Sequence, residues 1–427
     1  MSSLSEKDQA LIWHPYTQMK HAPAPTAFVK GQGTLLYTES GDAVIDAISS
    51  WWVNLHGHCH PYISEAVKKQ VDTLEHAIFA GFTHEPAVKL AEKLMAISPD
   101  QLQKVFYSDN GSTAVEIAVK MALQSFRNQG KSRHKIISFE GGFHGETFGA
   151  MSVSAQSVFT EAFKDYCFDC ISIPVPTPGN EARAIEAFKA ACDEEICAFI
   201  YEPLLQGASG MVMYSAEALN EMIGYAQSKG AYCIADEVAV GFGRSGKIFA
   251  SDYMENKPDF MCFSKALTGG YMALGATLCT NEVYTHFLSD DPLHTFYHGH
   301  SFTANPISCT AALASIELLM QPEQLEKINW ISAEHQAQAK IWKAHGMVNV
   351  VRQLGTVVAI EIKADQGGYN SNLRQKLYDF FISQNVLLRP LGNIVYIFPP
   401  LSISAEELNK VYTTINAALN ALEEGTL

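Results

Sequence analysis

Three groups of residues in this chain could do chemistry together. Lys265 lies in "DFMCFSKALTGG", and from Phe260 to Gly270 it is the only charged residue. Asp236 closes the apolar run "CIAD", one strand-like segment earlier. Gly111 and Ser112 follow "VFYSDN" where a helical pattern begins. A free lysine at pH 7 has only about one amine in several thousand unprotonated. An apolar strand end lowers its pKa by desolvation and makes it a nucleophile, as a Schiff base with a carbonyl requires. A carboxylate in the position of Asp236 is costly unless paired, and a cationic ring nitrogen would pair it. The free N–H groups and dipole of a helix start suit a phosphate. Each feature alone has an ordinary explanation: a surface lysine, a solvated loop carboxylate, a plain N-cap. Jointly they are what pyridoxal 5'-phosphate requires, a cradle for its phosphate, a partner for its pyridine nitrogen and an amine for its aldehyde.

These residues need a scaffold that brings them to one place. The segments "KVFYS", "HKIISF", "CAFIYEP", "AYCIADE", "DFMCFS" and "GATLCT" are short, apolar and rich in β-branched or aromatic residues, as buried parallel strands are. Helical patterns lie between several of them. In "GSTAVEIAVKMALQSFRNQG", Ala114, Ile117, Ala118, Met121 and Ala122 fall near helical spacing, and Gly130 follows as a stop. Alternating β and α predicts an α/β fold with a large, doubly wound, mainly parallel sheet. Ligands of such sheets bind beyond the carboxyl ends of the strands, where all three groups lie. After about residue 320 the pattern changes to that of a smaller α+β domain, with "VVAIEI" and "VLLRPLGNIVYIFPP" as its strand-like parts.

The bulk properties narrow the function further. The 427 residues are 47% hydrophobic and 18% charged, which suits a large packed core. The formal net charge of -15 gives no electrostatic reason to bind nucleic acid or an anionic membrane. No apolar run is long enough to span a bilayer. The opening "MSSLSEKDQALIWHPY" has no basic n-region and no long apolar stretch, so a secretory signal is not expected. Nine cysteines, an odd number spread along the chain, argue for a reducing cytoplasm rather than a disulfide framework.

With these residues in view, "ADEVAVGFGRSGKIFA", "PDFMCFSKALTGG" and "YHGHSFTANPISCTAALASI" resemble the class III aminotransferases of the type I pyridoxal-phosphate fold, over essentially the whole chain. Within that family, "WHPYTQM", "SSWWVNLHGHCHP", "GAMSVS" and "LRPLGNIVYIFPP" are similar to the branch that makes 7,8-diaminononanoate in biotin biosynthesis. Ornithine- and γ-aminobutyrate-type relatives usually carry "QGEAG" and often "DEVQTG". Here "QGASG" and "DEVAVG" put Ala208 and Ala239 at the distinguishing positions.

The resemblance implies the following. Residues 60–320 form the large cofactor-binding domain, and 1–59 with 321–427 form the small one. Lys265 carries the cofactor aldehyde and shuttles a proton, and Asp236 holds the pyridinium. Gly111 and Ser112 bind the phosphate, with Ser301 reaching in from a neighbouring subunit of a homodimer. Phe143 stacks on the ring, and His144 lies beside it. Tyr16, Trp51, Trp52, Phe143, Gly299 and Arg389 line the substrate site, with Arg389 taking a carboxylate in the bidentate manner that suits arginine. Arg244 is structural. The implied substrates are S-adenosylmethionine as donor and 8-amino-7-oxononanoate as acceptor, in a ping-pong exchange. The sequence departs from the family pattern in three places. Phe143 stands where Tyr is common, Glu146 where Asp is usual, and His300-Ser301 where Pro-Thr is common. The first two lie near the expected donor pocket, so lysine stays open as an alternative donor.

Rival readings find less support. "HGHCHP" and "CFDC" have metal-like spacing, but no second pair completes a tetrahedral zinc set, so no metal is expected. A metal-dependent hydrolase therefore lacks its residues. A non-catalytic cofactor-binding protein would not need both Lys265 and Asp236. The remaining alternative is a class III transaminase acting on a diamine or an ω-amino acid.

Overall fold

The computed structural model describes residues 3–364 and 373–427. Its centre is a seven-stranded sheet. In chain order the strands are β1 (Leu102–Ser108), β2 (Lys135–Phe139), β3 (Ile171–Ile173), β4 (Ile196–Tyr201), β5 (Tyr232–Asp236), β6 (Phe260–Phe263) and β7 (Gly275–Thr280). Their spatial order is β1-β7-β6-β5-β4-β2-β3. All pairs from β6 to β3 are parallel, while β7 runs antiparallel to both β6 and β1. The mainly parallel sheet expected from the sequence is present, with one reversed strand. Since β7 is reversed between them, β1 and β6 point the same way. The carboxyl ends of β1, β2, β4, β5 and β6 therefore share one rim.

Helices cover the sheet, and for that reason its inner strands are apolar along their whole length. Every residue of β4, β5 and β6 is buried. Burying each large apolar side chain contributes about 1.5–3 kcal/mol. Helix Gly111–Asn128 buries Ala114, Val115, Ile117, Ala118, Met121, Ala122 and Phe126, a face broadened by contacts on more than one side. Asn110 caps it, its side-chain oxygen accepting the Thr113 N–H at 2.9 Å. Gly130, at φ +71°, ends the turn beyond it.

Three smaller sheets accompany the central one among the described residues, one of them only the pair Leu205–Gln206 and Val212–Met213. Val348–Leu354, Val357–Ile362 and Ile394–Ile397 form an antiparallel sheet. Phe28–Gln32, Leu35–Thr38 and Ala43–Asp46 form another, which Val386–Leu387 joins in parallel, with Val386 opposite Ile45. That last pairing, between segments more than three hundred residues apart, brings the chain around Arg389 beside the turn that carries Trp51 and Trp52. Among the described residues no helix is long and apolar enough to cross a membrane. No group of three or more His, Cys, Asp or Glu side chains among them could hold a metal ion.

Candidate active site

A cavity of about 610 Å³ opens beyond the shared rim. Each strand end delivers a residue to it. β1 leads to Asp109, Asn110, Gly111 and Ser112, and β2 to Phe143 and His144. β4 leads to Glu202, β5 ends in Asp236, and β6 leads to Lys265. Tyr16 enters from the N-terminal arm, and Trp51, Trp52 and Arg389 from segments that follow strands of the four-stranded sheet.

Asp236 is only 4% exposed. Its Oδ1 accepts the Val238 N–H at 3.1 Å, and its Oδ2 lies 2.7 Å from His144 Nδ1. His144 thus braces the carboxylate from behind, and its other nitrogen, Nε2, is buried without a partner among the described residues. Lys265 sits at φ +46°, a left-handed conformation that costs a non-glycine residue roughly 1–3 kcal/mol and is often found at functional sites. Burial pushes the Lys265 ammonium pKa down, against the pull of Asp236 and then Glu202. Its Nζ lies 4.5 Å from the centre of the Trp52 ring. The lowered lysine pKa read from the apolar flanks has this cause in the structure, with two carboxylates opposing it.

At the start of helix Gly111–Asn128, the N–H groups of Gly111 and Ser112 have no intrahelical acceptor, as at the start of any helix. The Ser112 hydroxyl accepts the N–H groups of Glu146 and Thr147, each at 2.8 Å, and donates to Thr147 Oγ1 at 3.1 Å. What Ser112 can offer a phosphate is therefore its N–H, since its hydroxyl fixes the next loop. Gly145 permits that contact. At φ +135°, any Cβ there would fall 2.3 Å from Ser112 Oγ.

The twin tryptophans face different ways. Trp52 is 6% exposed, donates from Nε1 to the Tyr396 hydroxyl at 3.2 Å and packs against Phe398. Trp51 is 40% exposed and covers Arg389, whose Cζ lies 4.6 Å from its ring centre. The divergence comes from a strained turn, with Ser49, Ser50 and Trp52 all at positive φ. Asp46 holds that turn by accepting from Ser50 N at 2.7 Å and Ile48 N at 3.2 Å. Arg244 clamps it from below, donating to Ser49 Oγ at 2.9 Å and to the Pro399 carbonyl at 2.5 Å. Burial lowers the Arg244 guanidinium pKa to about 9, and Asp46 opposes that shift. Tyr16 donates a hydrogen bond to Glu146 and meets Trp51 and Phe159 edge-on at 5.4 and 5.5 Å.

Gly299 and Ser301 lie in an exposed loop and are not among the residues lining this chain's cavity. Several lining residues are not among those the sequence singles out: Phe159, Glu202, Val238, Leu391 and Tyr396. Glu202 had a signal, because it ends an apolar strand just as Asp236 does. Phe159 had none, since it comes from an irregular loop.

The class-III aminotransferase family model matches residues 16–419. The chain belongs to the class-III aminotransferase family. It is 43% identical to the adenosylmethionine-8-amino-7-oxononanoate aminotransferase of Synechococcus elongatus over 420 residues, 96% of this chain and 99% of that one. The Helicobacter pylori enzyme of the same name is 36% identical over 436 residues, 99% of each chain. Among solved structures, that enzyme from Methanocaldococcus jannaschii superposes with a TM-score of 0.91 at 34% identity, covering 97% of this chain and 98% of that one. An amine transaminase from an uncultivated Pseudomonas species, in its PLP-bound form, gives 0.90 at 26% identity, covering 96% and 98%. The type I fold is thereby established, and the cofactor of this aminotransferase is pyridoxal phosphate. The residues present fit it: a buried carboxylate braced by a histidine, a lysine with a lowered pKa on the next strand, and helix N–H groups open to a phosphate.

Proposed function

We propose that this aminotransferase moves an amino group from S-adenosylmethionine to 8-amino-7-oxononanoate, giving 7,8-diaminononanoate in biotin biosynthesis. The observation that carries the reading is the near full-length identity, 43% in the first case above, to enzymes named for that reaction. Bound pyridoxal phosphate supplies an aldehyde that exchanges with amines and a ring that withdraws electrons. The protein does the rest. Lys265 holds the cofactor and then, as a free amine, takes the proton from the amine-bearing carbon of the donor. Asp236, steadied by His144, keeps the pyridine nitrogen protonated. Gly111 and Ser112 would hold the phosphate through their N–H groups, and Phe143 would supply an aromatic surface for the ring.

Arg389 takes the carboxylate of the acceptor. Among the described residues it has no carboxylate partner in the protein, and the Trp51 ring keeps its guanidinium in place. Tyr16, Trp51 and Trp52 give the apolar walls that a nine-carbon chain needs. Ser301 acts from the second subunit of a homodimer, which its exposure outside this chain's own cavity lining favours, and Gly299, in the same loop, contributes to the substrate site. The large domain is residues 60–320, the small domain is 1–59 with 321–427, and the enzyme works in the cytoplasm.

The test is product analysis. Purified enzyme with cofactor, S-adenosylmethionine and 8-amino-7-oxononanoate should yield 7,8-diaminononanoate by mass spectrometry. Absence of product with active, cofactor-loaded enzyme would refute the assignment.

A further inference from the structure

Among the described residues, two buried carboxylates line the cavity, Asp236 and Glu202. The reaction as derived uses only the first. Glu202 divides its two oxygens between two loops. Oε1 accepts the Phe143 N–H at 3.0 Å, and Oε2 accepts the Gly207 N–H at 3.0 Å. Phe143 is one aromatic wall of the cavity. Gly207 lies against another, because a Cβ on it would come 2.9 Å from Trp52 Cζ3. Trp52 in turn lies under Lys265. One side chain therefore ties together the loop that carries Phe143 and the backbone that rests on Trp52.

We propose that Glu202 is a positioning residue whose carboxylate form braces the Phe143 and Trp52 walls against each other, and whose protonation loosens that brace. The reason lies in the donor count. An ionised carboxylate accepts at both oxygens, whereas a neutral carboxyl has one hydroxyl oxygen that must donate. Both of its present neighbours are N–H donors, so protonation leaves one of them poorly paired, which is costly in a buried place. The titratable groups facing Glu202 are His144 from the loop after β2, Asp236 at the end of β5 and Lys265 after β6. Tyr214 donates its hydroxyl to the Glu202 main-chain carbonyl. Burial raises the Glu202 pKa to about 7; Asp236 adds to the rise, while His144 and the two N–H groups oppose it. The brace is thus intact above neutrality and loosened below it. This holds whichever amine is the donor.

The test uses the full-length, cofactor-loaded enzyme and two readouts other than activity. One is hydrogen–deuterium exchange, corrected for intrinsic rates, of the segments containing Phe143 and Gly207. The other is circular dichroism of the cofactor's visible band. In the unsubstituted enzyme at least one of the two segments should gain roughly tenfold protection as the pH rises through 7, and the dichroism should change with the same midpoint. In Glu202→Gln that step should vanish, and one segment should exchange roughly tenfold faster above pH 7. Glu202→Asp keeps a titrating group but is one methylene short, so the step should persist while one segment loses protection. A step that survives in Glu202→Gln, or full protection of both segments there, would overturn the proposal. If Glu202→Gln does not fold, full protection of both segments in Glu202→Asp overturns it equally.

Discussion

The amine of Lys265 rests 4.5 Å from the centre of the Trp52 indole ring. Trp52 therefore has two tasks: it fills the space beside the lysine and it keeps water away from it. Trp52→Ala should cost about 3–5 kcal/mol of stability, as large-to-small changes of buried aromatic residues do. It should also hydrate Lys265, raise its pKa and weaken covalent retention of the cofactor at neutral pH. Thermal melts and the pH dependence of the cofactor's visible band check both parts. Trp52→Phe should recover most of the band but only part of the stability.

Arg389 touches Trp51 and has no carboxylate partner among the described residues. Its loss should therefore leave folding almost unchanged. Arg389→Ala should raise KM for the carboxylate-bearing acceptor roughly 10- to 150-fold, the worth of a hydrogen-bonded charge. Arg389→Lys keeps the charge without the planar fork and should fall between. Steady-state kinetics with the acceptor varied, alongside a melting curve, tests this.

Tyr16 links the N-terminal arm to Glu146 at the mouth of the cavity. Both residues are exposed, so the bond adds little to stability, about 0–1 kcal/mol. Tyr16→Phe should melt within a degree or two of the parent, yet raise KM for the donor severalfold by releasing Glu146. An unchanged KM would mean that the link plays no part in binding.

His335 gives the clearest pH dependence. It is fully buried, with Nδ1 2.7 Å from the Tyr412 hydroxyl and Nε2 3.1 Å from the Thr356 carbonyl. Those partners suit a neutral ring that donates from Nε2 and accepts at Nδ1. Burial lowers its pKa from 6.5 to about 3, against the Thr356 hydrogen bond. The unfolded chain thus binds a proton that the folded chain refuses. The stabilisation is complete above about pH 6.5 and is lost as the pH falls towards 3, by up to about 1.4 kcal/mol per pH unit. In His335→Gln that acid slope should be shallower by one proton, measured as unfolding free energy against pH.

Much of this architecture was legible in the sequence, and the rest was hidden for physical reasons. Six strand segments declared themselves because buried strands must be apolar throughout. The direction of "GATLCT" was hidden, because apolar composition is the same for either direction, and it runs antiparallel. Ile171–Ile173, at three residues, is too short to show a pattern. The pairing of Val386 with Ile45 is a contact between distant segments that no local spacing encodes. At the site, Lys265, Asp236 and the helix start were readable because each breaks a local rule. Glu202 breaks the same rule as Asp236 but sits in a segment read only as a strand. The split roles of Trp51 and Trp52 depend on positive φ at Ser49, Ser50 and Trp52, none of which is glycine.

The most direct test of the central claim is one half-reaction. Cofactor-loaded enzyme is mixed with S-adenosylmethionine, and separately with lysine, without acceptor, and the visible band of the cofactor is followed. The account predicts that S-adenosylmethionine discharges the band and lysine does not. Discharge by lysine alone would contradict the donor assignment and make Phe143 and Glu146 the residues to substitute next. If neither amine discharged it, the substrate assignment itself would fail, and an ω-amino transaminase would take its place.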